Sequence, residues 1–294
     1  MPRMPPPAAV KFICPNCSSV RASVELPGEG DRPPMVQCVD CSAEMFWPIP
    51  SSAELAAYYG ADNYFSRVGR EAADRYLADP QPTRQATANL AAEFEAYGTP
   101  RNGVVVDLGC SYGPTVIELR RLGYDAWGIE LSAEGVAFLN SHGGKGYCGT
   151  ILDYDCPLTR IDALFSSHTL EHMPDPYAAL RKLHRLMRPG GFLEIVLPHW
   201  GGLVAQHLRE RWKWCGYPAH IHYFRAATFP TILTDLGFKV ESIHTTGIPA
   251  EADELFDAFD VGTEGRTDAA TTAICSMLQN GRLGEALIVK AIRP

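Results

Sequence analysis

The sequence predicts an α/β fold: a mostly parallel sheet with helices on both faces, preceded by a small cysteine-bearing module. Three observations carry this. Val104 to Pro114 reads V-V-V-D-L-G-C-S-Y-G-P, a β-branched run that ends in an acid and a glycine turn and opens into the helical run Thr115–Leu122. A short apolar run bounded by turn residues is the pattern of a buried strand. A second such run, Tyr124–Ile129, ends in Glu130, 23 residues after Asp107. Ahead of both stand Cys14-x-x-Cys17 and Cys38-x-x-Cys41, with 20 residues between the pairs; two such knuckles can close a four-thiolate site around one tetrahedral ion.

Composition narrows the function classes. The net charge of −8 argues against non-specific nucleic-acid binding, which relies on clustered Lys and Arg. No apolar run approaches the ~18–20 residues of a membrane span. The opening M-P-R-M-P-P-P lacks the apolar stretch of a signal peptide. Nine cysteines, an odd number, fit a reducing compartment better than a disulfide framework. A cytoplasmic protein is expected.

Residues 1–50 form the first unit, a proline-rich, disordered lead followed by the cysteine segment. Few large apolar side chains lie between the knuckles, so zinc on Cys14, Cys17, Cys38 and Cys41 is expected to supply much of the folding free energy. A closed four-thiolate site leaves no open position for chemistry, so the unit is structural or a docking module. Four basic residues against five acids in residues 1–50 make it a poor grip for phosphates. Pro48-Ile-Pro-Ser-Ser52 reads as a linker whose serines can cap a helix. Residues 51–100 are a helical region with amphipathic runs at about 69–78 and 83–97, and Tyr58, Tyr59, Tyr64 and Phe65 are expected to pack together. Residues 101–294 form the main domain.

Within that domain Asp107 stands at the carboxyl end of its strand, where open α/β sheets bind ligands. Gly109-x-x-x-Gly113 is not the G-x-G-x-x-G of dinucleotide sites, and no P-loop lysine follows. An acid facing this turn suits a ligand with positive charge and hydroxyls better than one with phosphates. Glu130 lies close to the offset at which the next strand's acid meets ribose hydroxyls, and Ser132 can cap the following helix. Gly146–Gly149 gives a third strand, with Asp153 beyond it, and Ile161–Ser167 a fourth. His168, Glu171 and His172 follow at i, i+3 and i+4, on one face of a helical turn. Pro176–Met187 is an amphipathic helix closed by Arg188-Pro-Gly-Gly191, and Phe192–Leu197 is the fifth strand. Pro198-His199-Trp200 and the stretch Trp212–Phe224, with His220 and His222, are expected to line an acceptor pocket. Thr228–Leu236 is a helix, and Phe238–His244 and Ala286–Ile292 close the sheet. The insertion 247–284, acidic early and helical later, is expected to serve specificity or homodimerisation.

Several of these stretches resemble motifs of class I S-adenosylmethionine-dependent methyltransferases. V-V-V-D-L-G-C-S-Y-G-P resembles the first motif, with Cys110-Ser111-Tyr112 where a second glycine is common. G-I-E-L-S resembles the second, and L-E-H-M-P-D-P, R-P-G-G-F-L-E-I and P-A-H-I-H-Y-F resemble later ones. The resemblance covers residues 103–245 by motif. It implies a Rossmann-like seven-stranded sheet with the last strand antiparallel, and methyl transfer from S-adenosylmethionine to a small-molecule acceptor, a hydroxyl in a biosynthetic pathway. The implied cofactor set is Asp107, Gly109, Cys110, Gly113, Glu130, Leu131, Asp153 and Ser167. In it Asp107 and the glycine loop meet the methionine part, Glu130 the ribose and Asp153 the adenine amine. His168-x-x-Glu171-His172 also resembles the Glu-x-x-Glu-His metal site of ubiquinone-biosynthesis O-methyltransferases. That implies a second divalent metal near His168, Glu171 and His172, a softer ion than magnesium because imidazole replaces a carboxylate. A hydrogen-bonded structural Glu171/His172 pair is the first reading of these residues, with acid–base work a further one. A hydroxyl acceptor needs a base, and the histidines rank His220, His172, His199; an amine or thiol acceptor needs none. The rival readings are an RNA or protein methyltransferase that docks through the ribbon, and an S-adenosylmethionine-binding scaffold without turnover. The lack of a basic, aromatic-interleaved surface weighs against RNA.

Overall fold

The computed structural model describes residues 11–58, 64–154 and 160–294. The proline-rich lead and Tyr59 lie outside the described residues, as do the side chains of Tyr64 and Phe65. The cysteine segment carries three short strands, β1 (Ala22–Leu26), β2 (Met35–Cys38) and β3 (Glu44–Phe46), followed by helices α1 (Ser52–Tyr58), α2 (Tyr64–Ala78) and α3 (Gln81–Ala96). Strand and helix then alternate through β4 (Val104–Leu108), α4 (Pro114–Arg121), β5 (Asp125–Glu130), α5 (Ala133–Ser141), β6 (Gly146–Cys148) and β7 (Ile161–Ser167). Helix α6 (Pro176–Leu186) leads into β8 (Met187–Pro198), and α7 (Leu203–Leu208), β9 (His222–Tyr223) and α8 (Phe229–Asp235) follow. The chain closes with β10 (Lys239–Thr245), α9 (Pro249–Ala258), α10 (Asp268–Gly281) and β11 (Ala286–Ile292).

Seven strands form the main sheet in the order β10-β11-β8-β7-β4-β5-β6. Strands β4 to β8 pair in parallel, whereas β11 runs antiparallel to both β8 and β10. The order reverses at β4, which has β5 on one side and β7 on the other; that switch point opens a crevice at the strands' carboxyl ends. Val105, Val106, Leu164 and Leu193 are fully buried, each side chain contributing roughly 1.5–3 kcal/mol by leaving water. Helix starts follow local chemistry. Asp175 accepts from the Ala178 amide at 2.8 Å with Pro176 next in the chain, and Ser132 accepts from the Gly135 amide at 3.1 Å.

Three elements differ from the sequence expectation. Strand β8 begins at Met187 rather than Phe192, because a register shift opposite Ile161/Ala163 absorbs the P-G-G segment within the ladder. The early, acidic half of 247–284 is itself helical: α9 starts on Pro249 and buries Glu251, Ala252, Leu255 and Phe256, while Asp253 and Asp257 are exposed. The third difference concerns the cysteine unit. Its sheet has the order β1-β2-β3-β9, so its fourth strand comes from residues 222–223 of the large domain. Glu44 pairs with Tyr223 and Met45 with His222. Leu26, Met35 and Phe46 share a core with Trp200, Trp212 and Tyr223. The ribbon therefore draws its burial from the large domain, and the sheet crosses the boundary expected at residue 50.

A buried ion pair pins this junction. The Arg225 guanidinium donates to both Glu44 carboxylate oxygens, Nε lying 2.8 and 2.9 Å from them, and Glu44 is 1% exposed. Removing one partner of such a pair strands the other charge away from water, at about 3–5 kcal/mol. Arg225→Ala should lower stability by that order, read as a fall in the urea midpoint with an unchanged slope.

Candidate active site

The crevice is built on two carboxylates. Asp107, at the end of β4, is 6% exposed, and among the described residues no group donates a hydrogen bond to it. Burial, and then the neighbouring Glu130, push its carboxyl up to about 7. Glu130, at the end of β5, is held by amides: Ser111 N–H donates to Oε2 and Ser132 N–H to Oε1, both at 2.9 Å. Each oxygen keeps a lone pair for a further donor such as a diol. The loop between them needs its glycines. Gly109 has φ +77°, and a Cβ there would come 2.1 Å from Thr169 Oγ1; Gly113 has φ +70°, and a Cβ would meet Leu139 at 2.6 Å.

On the far side of Glu130, Leu131 is 67% exposed, with Cys148 against its carbonyl. Leu152 is also exposed. The turn at 151–154 is pinned to α6, because Lys182 Nζ donates to the carbonyls of Leu152 (2.8 Å) and Tyr154 (2.9 Å). Asp153 stands in this turn and accepts from the Thr150 hydroxyl at 2.6 Å. Cys110 is buried, its thiol lying where a Cβ on Gly128 would meet it at 2.3 Å.

Beyond Ser167, at the end of β7, the chain turns sharply. His168 takes φ +51°, and Leu170–His172 form a 3-10 turn. Thr169 Oγ1 donates to the Leu108 carbonyl at 3.0 Å, tying this turn to β4. Glu171 is 1% exposed, and among the described residues neither of its oxygens has a hydrogen bond within normal geometry. His168 Nδ1 lies 3.3 Å and His172 Nε2 3.8 Å from its Oε1. Burial raises the Glu171 carboxyl, but the imidazoles of His168, His172 and His220 outweigh it and hold the group below the usual carboxylate range. His172 Nδ1 sits 2.9 Å from the Ala219 carbonyl. A carbonyl can only accept, so Nδ1 carries a proton, and Nε2 is the nitrogen that faces the carboxylate.

The structure brings His220, rather than His168, into the tight group: ligand atoms of Glu171, His172 and His220 all lie within 4.8 Å of one another. His220 Nδ1 is buried without a partner, and burial followed by His172 pushes the ring down to about 4. Trp214, within the aromatic stretch 212–224, stacks on both His220 (5.7 Å) and His168 (5.2 Å). His199, expected as a base candidate, is spent structurally. Its Nδ1 donates to the Gly284 carbonyl at 2.9 Å and its Nε2 accepts from the Ala226 amide at 3.0 Å. Trp200 and Trp212 are likewise core residues, not pocket walls.

The four ribbon cysteines converge. Cys14 and Cys41 sulfurs are 3.5 Å apart, Cys17 and Cys38 sulfurs 3.6 Å, and all four lie within 4.8 Å of one another. Bonds of about 2.3 Å at tetrahedral angles place sulfurs about 3.8 Å apart, so the set fits one tetrahedral ion.

Acids ending β4 and β5, a glycine turn between them and this strand order define a class I S-adenosylmethionine-dependent methyltransferase, an enzyme class. The comparisons agree. A family profile described as "Methyltransferase domain" matches residues 78–243, more than half of the chain, and the chain belongs to that family. It is 30% identical over 115 residues to a Bradyrhizobium sp. (strain ORS 278) protein named ubiquinone biosynthesis O-methyltransferase, covering 37% of this chain and 41% of the relative. A Xanthomonas oryzae pv. oryzae protein of the same name is 33% identical over 98 residues, covering 30% of this chain and 40% of the relative. The chain thus spans about two fifths of the curated relatives it matches. Among solved structures, a chain of the complex between the Haloferax volcanii Trm112 methyltransferase activator and a methyltransferase superposes with TM-score 0.56 at 19% identity, over 80% of this chain and 100% of that one. A Thermotoga maritima S-adenosylmethionine-dependent methyltransferase gives 0.50 at 14% identity, over 78% and 98%. These two show the fold. No helix among the described residues is long and apolar enough to cross a membrane.

The unpartnered Asp107 carboxylate fits the cofactor's α-ammonium. Below about pH 7 the free protein keeps a proton on Asp107, which must leave for a cation to bind. Affinity for S-adenosylmethionine should therefore fall about tenfold per pH unit below that point. Calorimetry between pH 5.5 and 7.5 checks this, and Asp107→Asn should bind about 10- to 100-fold more weakly and flatten the profile.

Proposed function

We propose that the protein transfers the methyl group of S-adenosylmethionine to a hydroxyl of a small-molecule acceptor, with His172 as general base. The observation that carries this reading is the buried Glu171 carboxylate beside His172 Nε2, with no hydrogen bond of its own. The printed name of the curated relatives, an O-methyltransferase, supports a hydroxyl acceptor. Bound in the crevice, S-adenosylmethionine supplies a methyl on a sulfonium, already activated, so the protein's part is alignment and proton removal. Asp107 would hold the α-ammonium, Glu130 the ribose hydroxyls, and the 151–154 turn with Leu131 the adenine. With His172 Nδ1 on the Ala219 carbonyl, Nε2 would take the acceptor's proton and Glu171 would stabilise the imidazolium that results. His220, pushed down to about 4, holds no proton near neutral pH and ranks below His172 as a base. His172→Ala should lower kcat by about 10²- to 10⁴-fold with cofactor affinity unchanged. Unaltered turnover would remove the base, and absence of cofactor binding in the native protein would remove the whole reading.

Two further parts of the reading concern metals. Cys14, Cys17, Cys38 and Cys41 would hold a structural zinc, and metal analysis should find about one zinc per chain, lost when Cys38 and Cys41 become Ser. The three donors Glu171, His172 and His220 also suit a first-row transition ion, which would acidify a bound hydroxyl. A second metal equivalent, lost in Glu171→Gln, would favour this over the free base. A macromolecular acceptor is the competing reading, supported by the exposed aliphatics Ile13, Val20, Val24 and Val39 on the ribbon.

A further inference from the structure

We propose that the cysteine ribbon is a positioning device for the acceptor side of the active site. The proposal rests on reading the ribbon as a zinc site and the Glu171 turn as the acceptor side. Its basis is segment 219–222, whose backbone bonds alternately to the turn and to the ribbon. The Ala219 carbonyl accepts His172 Nδ1–H at 2.9 Å. The Ile221 amide donates to the Glu171 carbonyl at 2.7 Å, while the Ile221 carbonyl accepts from the Phe46 amide at 2.9 Å. One residue thus joins the turn to β3. Next along, His222 pairs with Met45 across β3–β9 and sits with Nε2 3.2 Å from the Pro174 carbonyl. His220, the third member of the Glu171 group, lies between these anchors.

The ribbon side of the chain leads to the thiolates. Met45 pairs with Val36, and the Cys38 amide donates to the Ala43 carbonyl at 2.8 Å. The knuckle at 38–41 is therefore continuous with β3. An ion on the four sulfurs cross-links it to the knuckle at 14–17, and without the ion four close thiols cannot ionise together, so the cross-link is lost. The Arg225–Glu44 pair fastens the same strand to the large domain. The cofactor side is anchored elsewhere: the two amides that hold Glu130 belong to Ser111 and Ser132. Loss of the ion should loosen His172 and His220 and leave cofactor binding in place.

The test uses the full chain with isotope-labelled histidine, since nine histidines give a spectrum simple enough to assign. Zinc is removed by chelation from the native protein, and Glu44→Gln, which keeps all four cysteines, weakens the strand junction with zinc retained. In both cases the imidazole signals of His172, His220 and His222 should shift or broaden while those of His142 and His184 stay. S-adenosylmethionine affinity should hold within about threefold, and turnover should fall about tenfold or more as alignment is lost. Unmoved signals from the three histidines in Glu44→Gln would overturn the proposal. So would a parallel loss of cofactor affinity, which would make the ribbon a general support of the fold. If chelation unfolds the chain, Glu44→Gln alone decides. The histidine signals need no acceptor, so this result stands apart from whether His172 is the base.

Discussion

A carboxylate buried at the switch point of a parallel sheet is the constraint around which the site is arranged. Asp107 lies beneath the glycine turn, with Glu130 as its charged neighbour and no donor of its own. In the free protein it tolerates this by holding a proton up to about pH 7. A ligand that brings an ammonium group removes the cost and gains a desolvated ion pair, so cofactor recognition begins with an unfavourable feature of the empty fold. The glycines serve the same purpose. Gly109 lets the turn pass against Thr169, whose hydroxyl donates to the Leu108 carbonyl. That hydrogen bond joins the end of β4 to the Glu171 turn.

Glu171 repeats the theme with the opposite sign. Asp107 lies near the carboxyl end of β4 and Glu171 in the turn beyond the neighbouring β7, and both are buried. Asp107 has a carboxylate for a neighbour and titrates high; Glu171 has three imidazoles and is held low. Environment alone separates two side chains of nearly the same intrinsic acidity. On the function proposed above, the first would receive the cofactor's ammonium and the second would stabilise an imidazolium formed during turnover.

Much of this was legible before the structure. Ile161–Ser167 and Ala286–Ile292 are strands over the ranges read from sequence, because short apolar runs report burial locally. What escaped depended on distant partners. Strand β9 is two residues long, and its partner, β3, lies far away in sequence; no periodicity can announce it. The same contacts decide the histidines. His199 looks like a pocket residue until Gly284 and Ala226 are seen to occupy its nitrogens, and His220 joins Glu171 only because Ile221 is gripped from both sides. Helix α9 was hidden for another reason: its acids mask the apolar stripe Ala252, Leu255, Phe256 in the composition.

The cysteine unit shows how a strong motif can leave a role open. Two C-x-x-C knuckles can close a tetrahedral site that would leave no position open for chemistry at an ion, but they do not distinguish a docking module from an internal brace. Burial separates the two faces. Met35, Met45 and Phe46 point inward with no exposure and pack on the large domain, and the sheet they belong to is completed by the strand that carries His222. The outer face keeps Val24 and Val39 at the surface, where any partner would have to bind. A module held on only by its linker would change little at the Glu171 turn when displaced. One that shares a backbone ladder with segment 219–222 cannot move without moving His220 and the carbonyl that orients His172.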